Sequence, residues 1–115
     1  MRQLAFGAAL AAIAAALTIP GLAPAAARNN TLIGTVGPGF TITMSKTTVK
    51  AGTYAVVIHD KSNIHNFHLT GPGVNKLTST PWVGTKTWTV KLNKATYRFV
   101  CDPHATSMKG VLRVT

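Results

Sequence analysis

The chain has 115 residues, and its 12 Lys and Arg face only two acidic residues, Asp60 and Asp102, for a net charge of +10. That length supports one small domain and no second. A single cysteine, Cys101, excludes a framework of disulfides within the chain, and no basic run or basic–aromatic interleaving points to nucleic acid.

In chain order, Met1-Arg2-Gln3 carries one positive charge, and Leu4 to Ile19 is apolar, Ala-rich and uncharged. Pro20-Gly21 breaks any helix, and Ala23-Pro24-Ala25-Ala26-Ala27 supplies small residues at a cleavage position. This order predicts a signal peptide over residues 1–27 and export to a periplasmic or extracellular compartment. Left uncleaved, the same apolar run is near the shortest spanning length and would hold the domain at a membrane surface. The mature domain is then residues 28–115. Its core is thin and has no disulfide to help it, so a bound metal would supply the missing cross-link.

From there the chain reads as β throughout, because no window sustains a 3.6-residue apolar period. Phe40, Ile42 and Met44 alternate with Thr41, Thr43 and Ser45, while Tyr54 to Ile58 forms an apolar run suited to a central strand. Trp88, Val90 and Leu92 alternate with Thr89 and Lys91. Tyr97, Phe99 and Cys101 form an inward row, and Leu112 and Val114 another. Gly37-Pro38-Gly39, Gly71-Pro72-Gly73 and Asn93-Lys94 mark turns. Lys50-Ala51-Gly52-Thr53-Tyr54 is echoed by Lys94-Ala95-Thr96-Tyr97, each leading into a strand. Short strands at this spacing predict an all-β sandwich.

The stretch richest in chemistry is Phe99-Val100-Cys101-Asp102-Pro103-His104-Ala105-Thr106-Ser107-Met108-Lys109-Gly110. A lone cysteine can pair between chains, lie inert in a core, act as a nucleophile or bind a metal. Here an imidazole and a thioether follow it closely. Thiolate and thioether suit Cu(I), imidazole suits both copper states, and a Cys/His/His site with a weak axial Met is an electron-transfer geometry. Zinc also accepts Cys/His/His, but Cu(II) binds such donors more tightly. The second histidine must come from elsewhere. In Ile64-His65-Asn66-Phe67-His68-Leu69, strand parity puts His65 on the inward face with Phe67 and Leu69. The same parity turns Asn66 and His68 outward, and His59 comes too early in the chain.

Cys101-Asp102-Pro103-His104 with Met108-Lys109-Gly110 resembles the ligand loop of small blue copper proteins, the plastocyanin, amicyanin and pseudoazurin group of cupredoxins. His65-Asn66 resembles their upstream His-Asn pair. The resemblance covers most of the mature chain and implies a Greek-key β-sandwich with copper at one end, under a hydrophobic cap pierced by the second ligand histidine. It implies His65, Cys101 and His104 as strong ligands of one type 1 copper ion and Met108 as the axial ligand. It also implies that Asn66 ties the two ligand loops together by hydrogen bonds. The spacing departs from both plastocyanins and amicyanins by one residue between His104 and Met108. Ile64 stands where many members carry Pro. Asp102 replaces a common Ser or Thr, and its charge beside the thiolate favours Cu(II) and a lower potential.

These features predict a monomeric carrier of single electrons between redox partner proteins, with no small-molecule substrate and no enzymatic activity. A thiol hydrolase would need an Asn or Asp orienting the Cys/His pair, and a copper oxidase would need more clustered histidines. The positive charge predicts acidic partners. A copper carrier or sensor built on the same ligands is the alternative, and a slow rate of electron self-exchange would mark it.

Overall fold

Period-two alternation governs the chain from Thr31 onward, and the structure, a computed structural model that describes residues 30–115, turns it into nine strands. They are β1 (Thr31–Val36), β2 (Ile42–Met44), β3 (Thr48–Val49), β4 (Gly52–Asp60), β5 (His68–Gly71), β6 (Val74–Leu77), β7 (Gly84–Leu92), β8 (Ala95–Val100) and β9 (Lys109–Val114). Among the described residues the one helical element is a single 3-10 turn, Asp102–His104. The signal peptide expected over residues 1–27 lies outside the described residues.

The strands form two mixed sheets, β2-β1-β4-β7 and β3-β9-β8-β5-β6. Antiparallel pairs dominate, but β1 runs parallel to β4 and β3 parallel to β9. The chain therefore crosses between sheets instead of meandering, and the result is the Greek-key β-sandwich that the resemblance implies. Its inward rows are the apolar halves of the alternation. Leu32 and Val36 of β1 lie beside Tyr54, Val56 and Ile58 of β4 and Trp88, Val90 and Leu92 of β7 on the inner face of the first sheet, and the second sheet sets Leu69, Tyr97, Phe99, Leu112 and Val114 against them. Each such side chain contributes about 1.5–3 kcal/mol when fully buried.

The echoed Lys-Ala segments share a solution at the end opposite Cys101. The Tyr54 hydroxyl donates to the Lys50 carbonyl at 2.6 Å, and the Tyr97 hydroxyl accepts from the Asn93 amide at 2.9 Å. In both, a buried ring sends its polar tip four residues back along the chain to fix the turn. At the other end Phe67 and Phe99 stack, with centroids 5.7 Å apart and planes 9° from parallel. That pair joins the segment carrying His65 to the strand delivering Cys101. Gly34 makes room for it, since a Cβ there would lie 2.6 Å from the Phe67 ring.

Two sequence expectations fail locally. Phe40 is not part of β2. It lies at the tip of the β1–β2 connection, where Gly37, at φ +75°, donates its amide to the Thr41 carbonyl, and the ring is 65% exposed. Asn66 does not face outward either. Residues 61–67 form an irregular loop before β5, and His65, Asn66 and Phe67 are all buried in succession. Parity holds only while a strand is pleated, so it cannot orient side chains in such a loop.

Candidate metal centre

Cys101 follows the last residue of β8 and inherits the inward direction of Tyr97 and Phe99, so its thiol is fully buried at one end of the sandwich. The turn Asp102–His104 then reverses the chain, with Pro103 placed where a helical turn needs no amide donor. The His104 amide donates to the Cys101 carbonyl at 3.0 Å and the Met108 amide to the His104 carbonyl at 2.8 Å. The Cys101 amide closes the loop on the Met108 carbonyl at 3.0 Å. Met108 is thereby buried directly beyond the turn, with 1% of its surface exposed.

His65 comes from the other ligand-bearing loop and is brought to the same point. His65 Nδ1, His104 Nδ1 and Cys101 Sγ converge, the nitrogens 3.1 Å apart and the sulfur 3.6 and 3.7 Å from them. A point equidistant from the three lies about 2.0 Å from each, which matches the roughly 2.0–2.3 Å at which nitrogen and sulfur donors hold a transition ion. Three lone-pair donors facing one point repel one another unless a proton or a cation lies between them. The donor set therefore fits a metal, and its softness fits copper. His59, by contrast, lies along β4 with its ring against the Thr85 hydroxyl at 3.1 Å, apart from this group.

The two loops are joined chiefly by Asn66. Its amide nitrogen donates to the Thr78 carbonyl at 3.1 Å and to the Asp102 carboxylate at 2.9 Å, and its carbonyl accepts from the Asp102 amide at 2.7 Å. Its backbone N–H points at Cys101 Sγ at 3.4 Å, which ties the His65 loop directly to the sulfur. Thr78 completes the support. Its hydroxyl accepts from the Phe67 amide and donates to Asp60, whose buried carboxylate also accepts from the Ser62 amide. Burial raises the Asp60 carboxyl above its ordinary value, against the lowering effects of Thr78, Ser62 and the nearby His65.

Sequence reasoning does not reach Asp60, Thr78, Phe40 or His68. Phe40 is set edge-on against both imidazoles, at 4.9 Å and 70° from His65 and 5.0 Å and 82° from His104. His68 puts Nδ1 2.9 Å from the Asp102 carboxylate and Nε2 2.7 Å from Asn75 Oδ1. Two oxygen acceptors, one at each ring nitrogen, are satisfied together only by the imidazolium. Burial lowers the His68 value, but Asn75 and Asp102 more than offset it, and the net direction is up. For Asp102, burial is outweighed by the hydrogen bonds from His68 and Asn66, and the net direction is down.

A pH dependence follows for the metal-free protein. The raised His68 value adds stability that is complete below the unfolded value near 6.5 and disappears as pH rises through the folded one. Because the pair is partly exposed, the contribution is below about 1 kcal/mol. Denaturant midpoints of the metal-free protein from pH 5 to 8 are expected to show this decline, and His68→Gln to lack it. Equal slopes for the two proteins would remove the ion pair from the account.

Comparison with known proteins decides the family. Residues 31–115 match the copper binding proteins of the plastocyanin/azurin family. The chain belongs to that family. Copper is accordingly its metal, with His65, Cys101 and His104 placed as a ligand group. No curated protein matches by sequence. Among solved structures, reduced rusticyanin is similar at 22% identity and a TM-score of 0.58, over 74% of this chain and 78% of that one. Auracyanin A of Chloroflexus aurantiacus, titled a "blue" copper protein, is similar at 19% identity and 0.55, over 74% and 98%. An amicyanin variant holding Cu(I) is similar at 16% and 0.52, over 79% and 88%. At such identities the likeness is one of fold.

Proposed function

We propose that this cupredoxin is an exported type 1 copper protein that carries single electrons between redox partner proteins, with His65, Cys101 and His104 as strong ligands and Met108 as the weak axial one. The observation that carries the reading is the convergence of two Nδ1 atoms and one Sγ on a single point. Copper, when bound, supplies the one-electron couple. The chain supplies a fixed donor set. Full burial of His65 and Cys101, and near-full burial of Met108, leaves these side chains little freedom to move as the charge at the centre changes. The same burial favours an electron carrier over a protein that must release its metal. His104 is half-buried and is the route by which electrons enter and leave. Export rests on residues 1–27, and a monomer is the expected state.

The oxidised, copper-loaded protein is expected to show an intense visible thiolate-to-copper charge-transfer band that vanishes on reduction. A colourless protein fully loaded with Cu(II) would sink the assignment.

Phe40 and Ile64, 65% and 51% exposed, give the copper end an apolar surface, and Lys61, Lys76 and Lys109 are exposed on segments at or leading to that end. These three lysines outnumber Asp60 and Asp102, of which Asp60 is buried and Asp102 is engaged by His68. An acidic redox partner is therefore steered to this surface, mainly through the rate of association. The screening length shortens from about 30 Å at 0.01 M salt to about 10 Å at 0.1 M. Electron transfer with a negatively charged partner is expected to slow over that range, and transfer with a positively charged one to quicken. Rates indifferent to salt for both would show that the charge plays no part in docking.

A further inference from the structure

Phe40 is an oddity for a small protein with a thin core. A large ring, 65% exposed, stands at the tip of a loop instead of packing inside. Its ring contacts are with imidazoles. Phe40, His65 and His104 form a triangle of rings, each edge-on to the next, with centroid separations of 4.9, 5.0 and 4.8 Å and interplanar angles of 70°, 82° and 75°. Edge-to-face contact is the preferred geometry for aromatic rings at this distance, since the positive edge of one meets the negative face of another.

The loop is built to hold that ring in place. Gly37 takes a left-handed conformation, its amide closes on the Thr41 carbonyl, and a Cβ on it would meet the Ser62 side chain at 2.8 Å. The Lys61 amide donates to the Val36 carbonyl at 2.9 Å. The connection carrying Phe40 is thus pressed against the start of the loop carrying His65. His65 is already immobilised by burial, whereas His104 is half-buried on a short surface turn. Of the two imidazoles, His104 is the less enclosed by the rest of the chain, so the Phe40 ring is a larger share of what surrounds it.

We propose that Phe40 is a positioning residue for the metal centre. Its ring pins the His104 imidazole in the orientation that aims Nδ1 at Cys101 and His65, and it covers the route by which a competing ligand would reach the metal through the His104 side. The effect depends on the aromatic ring and not on bulk alone, because the contacts are ring edges against ring faces. The proposal rests on His65 and His104 being ligands.

The test uses the full chain loaded with copper and compares wild type with Phe40→Ala, Phe40→Leu and Phe40→Tyr. Cu(I) is extracted with bathocuproine disulfonate and followed optically. Loss of two edge contacts is expected to speed extraction by about tenfold in Phe40→Ala. Phe40→Leu should behave like the alanine variant, and Phe40→Tyr should stay within roughly twofold of wild type, as a side chain that keeps the ring edges would. In the metal-free protein, imidazole NMR signals of His104 should sharpen and move toward free-histidine positions in the alanine variant, while those of His65 change less. Because the ring is exposed, the variants are expected to fold as wild type does. Wild-type extraction and wild-type His104 signals in Phe40→Ala overturn the proposal, as does a leucine variant equal to wild type. A wild-type protein lacking the visible band overturns the ligand assignment and the proposal with it; a normal band with an inert Phe40 overturns the proposal alone.

Discussion

Replacing Cys101 with Ser is expected to abolish the visible charge-transfer band completely while leaving the metal-free fold in place. The band requires a sulfur donor, and a serine hydroxyl neither ionises near neutral pH nor offers a soft lone pair. The fold has less at stake. Cys101 is a small, fully buried residue whose replacement changes little volume, and the Asn66 amide that faces Sγ can still find an oxygen acceptor. A buried hydroxyl with no hydrogen bond costs about 1–3 kcal/mol in mutational data, and the retained Asn66 contact keeps the cost toward or below the low end of that range. Optical spectra of the copper-loaded variant and denaturant midpoints of its metal-free form separate the two effects. A residual intense band would mean that another group supplies the charge transfer, and the ligand set would have to be redrawn.

Where regular pleating continues, the sequence is read correctly down to single side chains. Tyr97, Phe99 and Cys101 point inward, as do Trp88, Val90 and Leu92, because each row lies on a strand or directly continues one. His65 is buried too, but not for the reason parity offers. It lies in a loop in which Asn66 and Phe67 are equally buried, oriented by hydrogen bonds to Thr78, Asp102 and Cys101. Those partners are 11 to 36 residues away in the chain, and no local pattern announces them. The parallel pairings of β1 with β4 and β3 with β9 are invisible for the same reason. Phe40 shows the opposite limit. Alternation with Ile42 and Met44 extends a strand through it, yet the preceding Gly37-Pro38-Gly39 turn runs on as far as Thr41 and carries the ring to the copper end. Asp102, legible as a charge beside the thiolate, is also a structural partner of His68 and Asn66.

Asn66→Ala is expected to lower stability more than any other substitution around the centre, because one side chain there serves both ligand-bearing loops. It removes donors to the Thr78 carbonyl and the Asp102 carboxylate and the acceptor of the Asp102 amide. Neutral hydrogen bonds contribute about 0.5–1.5 kcal/mol each and one to a charged group about 1.5–3, so the loss comes to roughly 2–4 kcal/mol after partial rehydration. For a domain of this size that is a fall in thermal midpoint of roughly 10–25 °C. Asn66→Asp keeps the size and the acceptor but sets a second carboxylate against Asp102, which is held ionised by His68. Even protonated, the new carboxyl offers one O–H where the amide offered two donors, so that variant should come nearest wild type at acid pH and lose further stability as pH rises and the two charges meet. In both variants copper affinity should fall as well, since the His65 and Cys101 segments are no longer held together before the metal arrives. Thermal unfolding of the metal-free proteins between pH 4 and 8 distinguishes these cases. An alanine variant within about 0.5 kcal/mol of wild type would show that the Phe67–Phe99 stack, the His68–Asp102 pair and the residue-66 backbone N–H on Cys101 Sγ suffice to hold the two loops together, and that the Asn66 side chain is incidental.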